Sequence, residues 1–396
     1  MIYLDAAATT PVKQEILELI WPLMARDFGN PSSTHSLGET AARALTYART
    51  TAASTLGVRT GDIVFTSGGT EANNLAIIGL ALANPRGRHV VRSAIEHSSV
   101  REACDYLHRH HGFSIDVVPV GSEGLVDPAV LSGLLREDTT LVTVMAVNNE
   151  IGTIQPLAEI SAAARAVGAL MHSDVVQAAS WLPLVELATH LDALSVSGHK
   201  LGGMKGAGLA MIRGKLAVEP GLHGGGQERG RRSGTENVAG AVSTATALRL
   251  ATSAAAGFED SRTKANYLID TVLEGLNTGR RPGEEAAVLT GDRQQRVPGI
   301  VSFTFPGANG ETVLLELERR GIICSSGSAC AAGSAEPSPV LLGLGLDPDL
   351  ARTAVRLSFT AETTEVQLTT AARAVIAAVQ TVTDAGPHVA APTSEA

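Results

Sequence analysis

The chain has 396 residues and a formal net charge of −9, with 44% hydrophobic and 18% charged residues, a balance that excludes a disordered protein. The acidic surplus argues against direct nucleic-acid binding, which needs a basic face, and the short run Arg229, Arg231, Arg232 is too local to supply one. Three cysteines (Cys104, Cys324 and Cys330) are too few and odd in number for a disulfide framework, no apolar run nears the roughly 20 residues of a membrane span, and MIYLDAAATTPV has no leader pattern, so a soluble, cytoplasmic, non-membrane protein is expected.

In chain order, apolar runs rich in β-branched residues predict strands at Ile63–Thr66, His89–Ser93, Ile115–Val120, Leu141–Val147, Leu170–Ser173, Ala193–Val196 and Gly208–Ile212. Helical patterns lie between them near Thr70–Ala83, Ser99–His110, Leu157–Val167 and Val175–Ala179. Such alternation predicts an α/β fold: a mostly parallel seven-stranded sheet covered by helices on both faces. Ligands on such sheets sit beyond the carboxyl ends of the strands. One long helical pattern, Asn237 to Leu276, leads to a smaller α/β unit. Its strands are expected at Gly299–Phe305, Ile322–Cys324 and Ala354–Ser358, with an Ala-rich helix over Thr364–Val382. The division expected is a large domain over 13–260 and a small one of 1–12 with 261–384, the N-terminal extended segment joining the small unit. The Ala-, Pro- and Thr-rich stretch 385–396 is expected to be a disordered tail.

Chemistry-bearing residues recur where strand patterns end. Thr66-Ser67-Gly68-Gly69-Thr70-Glu71 passes from strand to helix. Glycines there admit close backbone approach, and the unpaired N–H groups of a helix start favour a phosphate, with Gly69 and Thr70 the natural contacts. Neither standard nucleotide fingerprint is present. His97 in IEHSS and Asn149 in VNNEIG also follow strands; one could stack on a cofactor ring and the other hydrogen-bond it, while both residue types equally serve as caps or turns. Asp174 in HSDVVQ could place a carboxylate against a pyridine nitrogen, with Gln177 one helical turn on; it also suits an ordinary N-cap. Lys200 in SVSGHK sits at a strand end among small residues, where desolvation would favour imine formation. The loop HGGGQERGRRSGT, 223–235, could close over a phosphate or simply be surface. Cys330 lies in CSSGSACAAGS, flanked by small residues, where a nucleophilic thiolate could act; a free cysteine is otherwise a small apolar filler, the reading that suits Cys324 and Cys104. His108, His110 and His111 crowd a helix end and read as exposed groups favoured by the dipole. No metal site is expected.

The stretches LDAAATTPV, FGNPSSTH, FTSGGTEANNLAI, VNNEIGTIQP, HSDVVQA, SVSGHK, HGGGQERGRRSGT, SSGSAC and VRLS, spanning Tyr3 to about Thr364, closely resemble the cysteine desulfurases of the class V aminotransferase family. The likeness is to the housekeeping iron–sulfur-cluster and nitrogen-fixation group. It implies fold type I of the pyridoxal-phosphate (PLP) enzymes and conversion of L-cysteine to L-alanine with sulfur carried as a persulfide on Cys330. It implies that Lys200 holds PLP as an imine and moves protons with His97, which stacks on the ring. Asp174, Gln177 and Asn149 would contact the ring. Gly69, Thr70, Ser197 and His199 would bind the phosphate, joined by Thr235 from the other subunit of a homodimer. Arg356 would pair with the substrate carboxylate, where Asn149 also reaches. A sulfur acceptor, either an iron–sulfur scaffold or a thiolation carrier, is implied as partner. The chain departs from the family at Ala6, Ala331, Ala332, Met204 and Phe359. Selenocysteine lyase, or another class V lyase or aminotransferase, is the alternative reaction on this fold.

Overall fold

The computed structural model describes residues 1–84, 86–254, 257–327 and 336–384. Its strands are β1 (Ile2–Tyr3), β2 (Ile63–Thr66), β3 (His89–Ser93), β4 (Ser114–Val118), β5 (Thr139–Thr143), β6 (Leu170–Asp174), β7 (Ala193–Ser197), β8 (Gly208–Ile212), β9 (Val288–Leu289), β10 (Ile300–Thr304), β11 (Ile322–Ile323) and β12 (Val355–Ser358). Seven of them form one sheet in the order β2-β8-β7-β6-β5-β3-β4. β8 runs antiparallel to both neighbours and the remaining pairs are parallel. The expected large sheet is present, with its strands at the predicted places.

Successive side chains alternate between two cores, as the pleat requires. Val91, Val142, Leu194 and Met211 enter one cluster with Leu45, Leu56 and Ala245. Val90 and Leu141 pack against Ile77 and Cys104 on the opposite face, and Ala193, Ala210 and Ile212 join Ala72, Ala76 and Leu80. Burial on both faces is why these strands read as continuous apolar runs. β12, β10 and β9 form a second, antiparallel sheet, packed with the helices Phe258–Asn277 and Glu365–Asp384 around Phe303, Phe305, Leu268 and Val375. The N-terminal segment does extend this region: β1 pairs with β11, Ile2 opposite Ile322.

Two helical expectations are corrected. The long pattern from Asn237 is two helices, Val238–Ala254 and Phe258–Asn277, the second opening at Gly257, a residue that weakens a helix interior by about 1 kcal/mol. Val175–Ala179 is a turn rather than a helix, closed by bonds from the Ala178 and Ala179 N–H groups to the Val175 carbonyl. There the Asp174 carboxylate accepts the Val176 N–H, the bond a helix N-cap makes, although the turn does not extend into a helix. No helix among the described residues is long and apolar enough to cross a membrane.

Candidate active site

A cavity of about 820 Å³ opens at the carboxyl ends of β2, β6 and β7. Gly69, Thr70, His97, Asn149, Asp174, Gln177, Ser197, His199, Lys200 and Arg356 all line it, so ten positions scattered over almost 300 residues converge on one space. Thr235 does not line it and is exposed. Cys330 lies outside the described residues, but Gly327 before it and Glu336 after it both line the same cavity.

On the sheet side, Asp174 ends β6 with only 5% of its surface exposed. Its carboxylate accepts from Asn73 Nδ2 at 2.8 Å and from the Val176 N–H at 2.9 Å, which fixes its orientation. Asn73 Nδ2 also donates to Ser99 Oγ at 2.9 Å, and Ser99 Oγ lies 2.8 Å from His97 Nδ1. A continuous polar chain therefore joins Asp174 to His97. His97 caps the helix Ser98–His111, its Nδ1 accepting the Ser99 N–H, so the capping role and the place in the cavity coexist. The helix Gly69–Ala83 starts at the cavity wall, which Gly68, Gly69, Thr70 and Glu71 all line. A Cβ at Gly69 would come within 3.0 Å of Val176 and 3.4 Å of Ser197, so the close approach is reserved for glycine. Burial, and then the positive charges of Lys200 and Lys205, push His199 down to about 4, which leaves it neutral near pH 7.

Lys200 follows β7 in a short 3-10 turn, and Nζ donates to the carbonyls of Ala7 at 2.5 Å and Ala8 at 2.6 Å. Gln177 Nε2 donates to the same Ala7 carbonyl at 3.0 Å, and the Thr10 hydroxyl bonds the His199 carbonyl. Segment 5–10 thus ties the lysine turn to β12 through Ala6 N–H to Ser358 O and Ala7 N–H to Ser358 Oγ. Ala6 itself lines an adjoining cavity of about 880 Å³ that shares Ala7, Val176, Gln177 and Lys200 with the one described.

The opposite wall is Arg356 on β12, 1% exposed. Its Nη2 donates to Asp5 Oδ1 at 2.8 Å and Ser325 Oγ at 2.9 Å; its Nη1 donates to the carbonyls of Asn149 at 2.8 Å and Gly327 at 3.1 Å. Nε is buried with no hydrogen-bond partner. Beside it, Glu150 accepts the Ser338 hydroxyl at 2.5 Å.

Sequence reasoning missed Asn73, Ser99, Asp5, Ser325 and two buried glutamates. Burial pushes Glu96 up to about 8, against the bonds from the Ser93 hydroxyl and the Met145 N–H, with Asp174 adding to the rise. Burial also raises Glu150, opposed by the Ser338 bond and by nearby Arg356, Arg101 and His97. The one available signal was adjacency to residues already singled out: Glu96 to His97, Glu150 to Asn149.

The loop 223–235 is fastened rather than loose. Glu228 is paired with Arg49 through both oxygens and accepts the Phe65 N–H. Arg232 pairs with Glu71 in the first turn of the cavity helix, and Arg231 donates to carbonyls just after β8. Cys104 and Cys324 are free thiols that burial pushes up to about 12, which matches the filler role expected of them.

The contents of this cavity suit PLP. It offers a buried carboxylate, an amine, a glycine approach to a helix start, and an unsatisfied guanidinium N–H, all in a volume able to hold a small cofactor with its substrate.

Comparison with known proteins agrees. The family "Aminotransferase class-V" matches residues 2–370. The chain is 42% identical over 358 residues to "Cysteine desulfurase IscS" of Methanosarcina thermophila, covering 90% of this chain and 86% of that protein. Among solved structures, a "NIFS-LIKE PROTEIN" superposes with a TM-score of 0.85 at 33% identity, covering 96% of this chain and 99% of that one. "SspA in complex with cysteine" gives a TM-score of 0.78 at 31% identity over 92% of this chain and 100% of that one.

Proposed function

This chain belongs to the class-V aminotransferase family, and from that premise we propose that it is a cysteine desulfurase, which takes sulfur from free L-cysteine as a persulfide on Cys330 and leaves L-alanine. The observation that carries the reading is the convergence of the Lys200 amine, the Asp174 carboxylate and the Arg356 guanidinium on one cavity that the flanks of Cys330 also line. The names of the relatives and a cysteine complex of the same fold support it.

The enzyme uses PLP, which when bound supplies an electron sink for charge developing at the substrate Cα. Lys200 would hold the cofactor covalently and would move the proton at the substrate Cα together with His97. Asp174, oriented by Asn73 and the Val176 N–H, would face the ring nitrogen and favour its protonated form. Gln177 and Asn149 serve the ring oxygen. The Gly69–Thr70 helix start, Ser197 and a neutral His199 hold the phosphate as hydrogen-bond donors. Arg356 takes the substrate carboxylate, for which its guanidinium fork is suited. The Cys330 thiolate forms a bond to the substrate sulfur as the substrate's Cβ–S bond breaks, and the electron pair left on that carbon takes a proton to give alanine.

The exposure of Thr235 away from its own chain's cavity supports a homodimer in which the partner subunit's Thr235 completes the phosphate site. The two separate cores support division into a large domain, 13–260, and a small one of 1–12 with 261–384. A cytoplasmic location and a protein sulfur acceptor, a cluster scaffold or thiolation carrier, complete the reading. The test is an assay of the purified holoenzyme with L-cysteine and a reductant. Wild type should form alanine and sulfide together, and C330S should keep the bound-cofactor absorbance and release no sulfide. Undiminished sulfide from C330S would contradict the assignment.

A further inference from the structure

The Arg356 guanidinium is already fully engaged on both Nη nitrogens: Asp5 and Ser325 on Nη2, Asn149 and Gly327 on Nη1. Among the described residues its Nε–H has no partner, inside the protein. A carboxylate binding bidentately along a guanidinium edge uses Nε–H together with the Nη2 hydrogen on the same side. One half of that edge is buried and unpaired, and the other half is taken. One of the two present Nη2 acceptors must yield.

Charge decides which. Asp5 is a carboxylate paired with a cation that is 1% exposed, and removing it would leave a buried charge less compensated. Ser325 Oγ carries no charge, so its bond to the guanidinium lacks the ion-pair attraction that holds Asp5. Ser325 also has a second partner waiting, since the Gly327 N–H already lies 3.3 Å from its hydroxyl oxygen.

We propose that Ser325 is a positioning and selectivity residue for the substrate carboxylate: its hydroxyl occupies the Nη2 donor that the carboxylate needs and is displaced when the carboxylate arrives. This rests on the reading of Arg356 as the carboxylate site and adds a competition to it. The Ser325 hydroxyl keeps the guanidinium from leaving two buried donors unpaired before substrate binds, and an amine without a carboxylate gains nothing by displacing it. Because the two acceptors compete, weakening one strengthens the other by the same factor. The loosening reaches the backbone: Ser325 and Gly327 both bond the arginine side chain, and Ser325 is bridged to Arg356 main chain to main chain.

The experiment measures affinity of the holoenzyme for L-alanine, which has the carboxylate and no sulfur to transfer, and for L-alaninamide, which lacks the carboxylate. Binding is followed by the cofactor's visible absorbance. S325A should bind L-alanine about fivefold more tightly than wild type, the equivalent of one net hydrogen bond removed from the competition. L-alaninamide should bind both proteins equally, and S325T, which keeps the hydroxyl, should behave as wild type. In wild type, amide hydrogen exchange across 324–327 should speed up when L-alanine saturates the site, a readout that needs no variant. Unchanged or weaker L-alanine binding by S325A, equal shifts for both ligands, or unaltered exchange in wild type would overturn the proposal. If L-alanine bound neither protein, the Arg356 reading would fall first and this inference with it.

Discussion

The two walls of the cavity are built in different ways. On the sheet side, Asp174 ends a strand, Asn73 and Ser99 lie near the starts of helices and His97 caps one, and each is held by a hydrogen bond to another group of the set or to the adjoining backbone. On the other side, Arg356 is held by acceptors at residues 5, 149, 325 and 327, gathered from distant parts of the chain. The first wall is a fixed template, set by the sheet before any ligand arrives. The second is a set of exchangeable bonds around one buried cation. A cofactor that stays bound suits the first, and a substrate that comes and goes suits the second.

If the difference is real, variants of the two walls should fail differently. R356K gives the largest effect. Lysine cannot reproduce the fork, and loss of charged hydrogen bonds worth about 2 kcal/mol should lower kcat/KM for L-cysteine about 30-fold. Most of that should appear in KM, while the cofactor absorbance is retained. A fall confined to kcat would break the comparison. N73A leaves Asp174 with one fewer donor, and about 1 kcal/mol lost there predicts roughly fivefold lower kcat with KM little changed. Steady-state kinetics on both variants checks the split, and a KM effect in N73A would mean that the sheet side is not a separate template.

A third effect falls on stability rather than on rate. Glu96 in the folded state keeps its proton up to about pH 8, against an ordinary value of 4.5. Between these values the folded protein binds a proton that the unfolded chain has released. This group's contribution to stability is therefore greatest below about pH 4.5 and is lost as pH rises to about 8, by at most about 1.4 kcal/mol per unit. E96Q retains acceptors for the Met145 N–H and Ser93 hydroxyl without the titration. Its Tm advantage over wild type should grow from pH 5 to pH 8 in thermal melts. A gap independent of pH would show that the buried carboxyl is not held neutral.

The same contrast explains what could be read from the sequence. Strands buried on both faces announce themselves as apolar runs, and side chains at their carboxyl ends, such as Asp174 and Lys200, are marked by that position. The sheet, Asp174 and Lys200 were legible for that reason, while the cavity's buried Glu96 and Glu150 were not. Asn73 and Ser99 look like ordinary helix residues until the fold sets them beside Asp174. The Arg356–Asp5 pair joins residues 351 apart in sequence, and no local pattern carries it.

The central claim is tested most directly by locating the transferred sulfur. Holoenzyme given L-cysteine without reductant or acceptor should be digested under non-reducing conditions and its peptides weighed. The account predicts one added sulfur atom, located by fragmentation to Cys330 within the peptide it shares with Cys324 and formed together with alanine, and none on Cys324 or on the peptide containing Cys104. Alanine formed with Cys330 unmodified, or sulfur found on Cys324 instead, would contradict it.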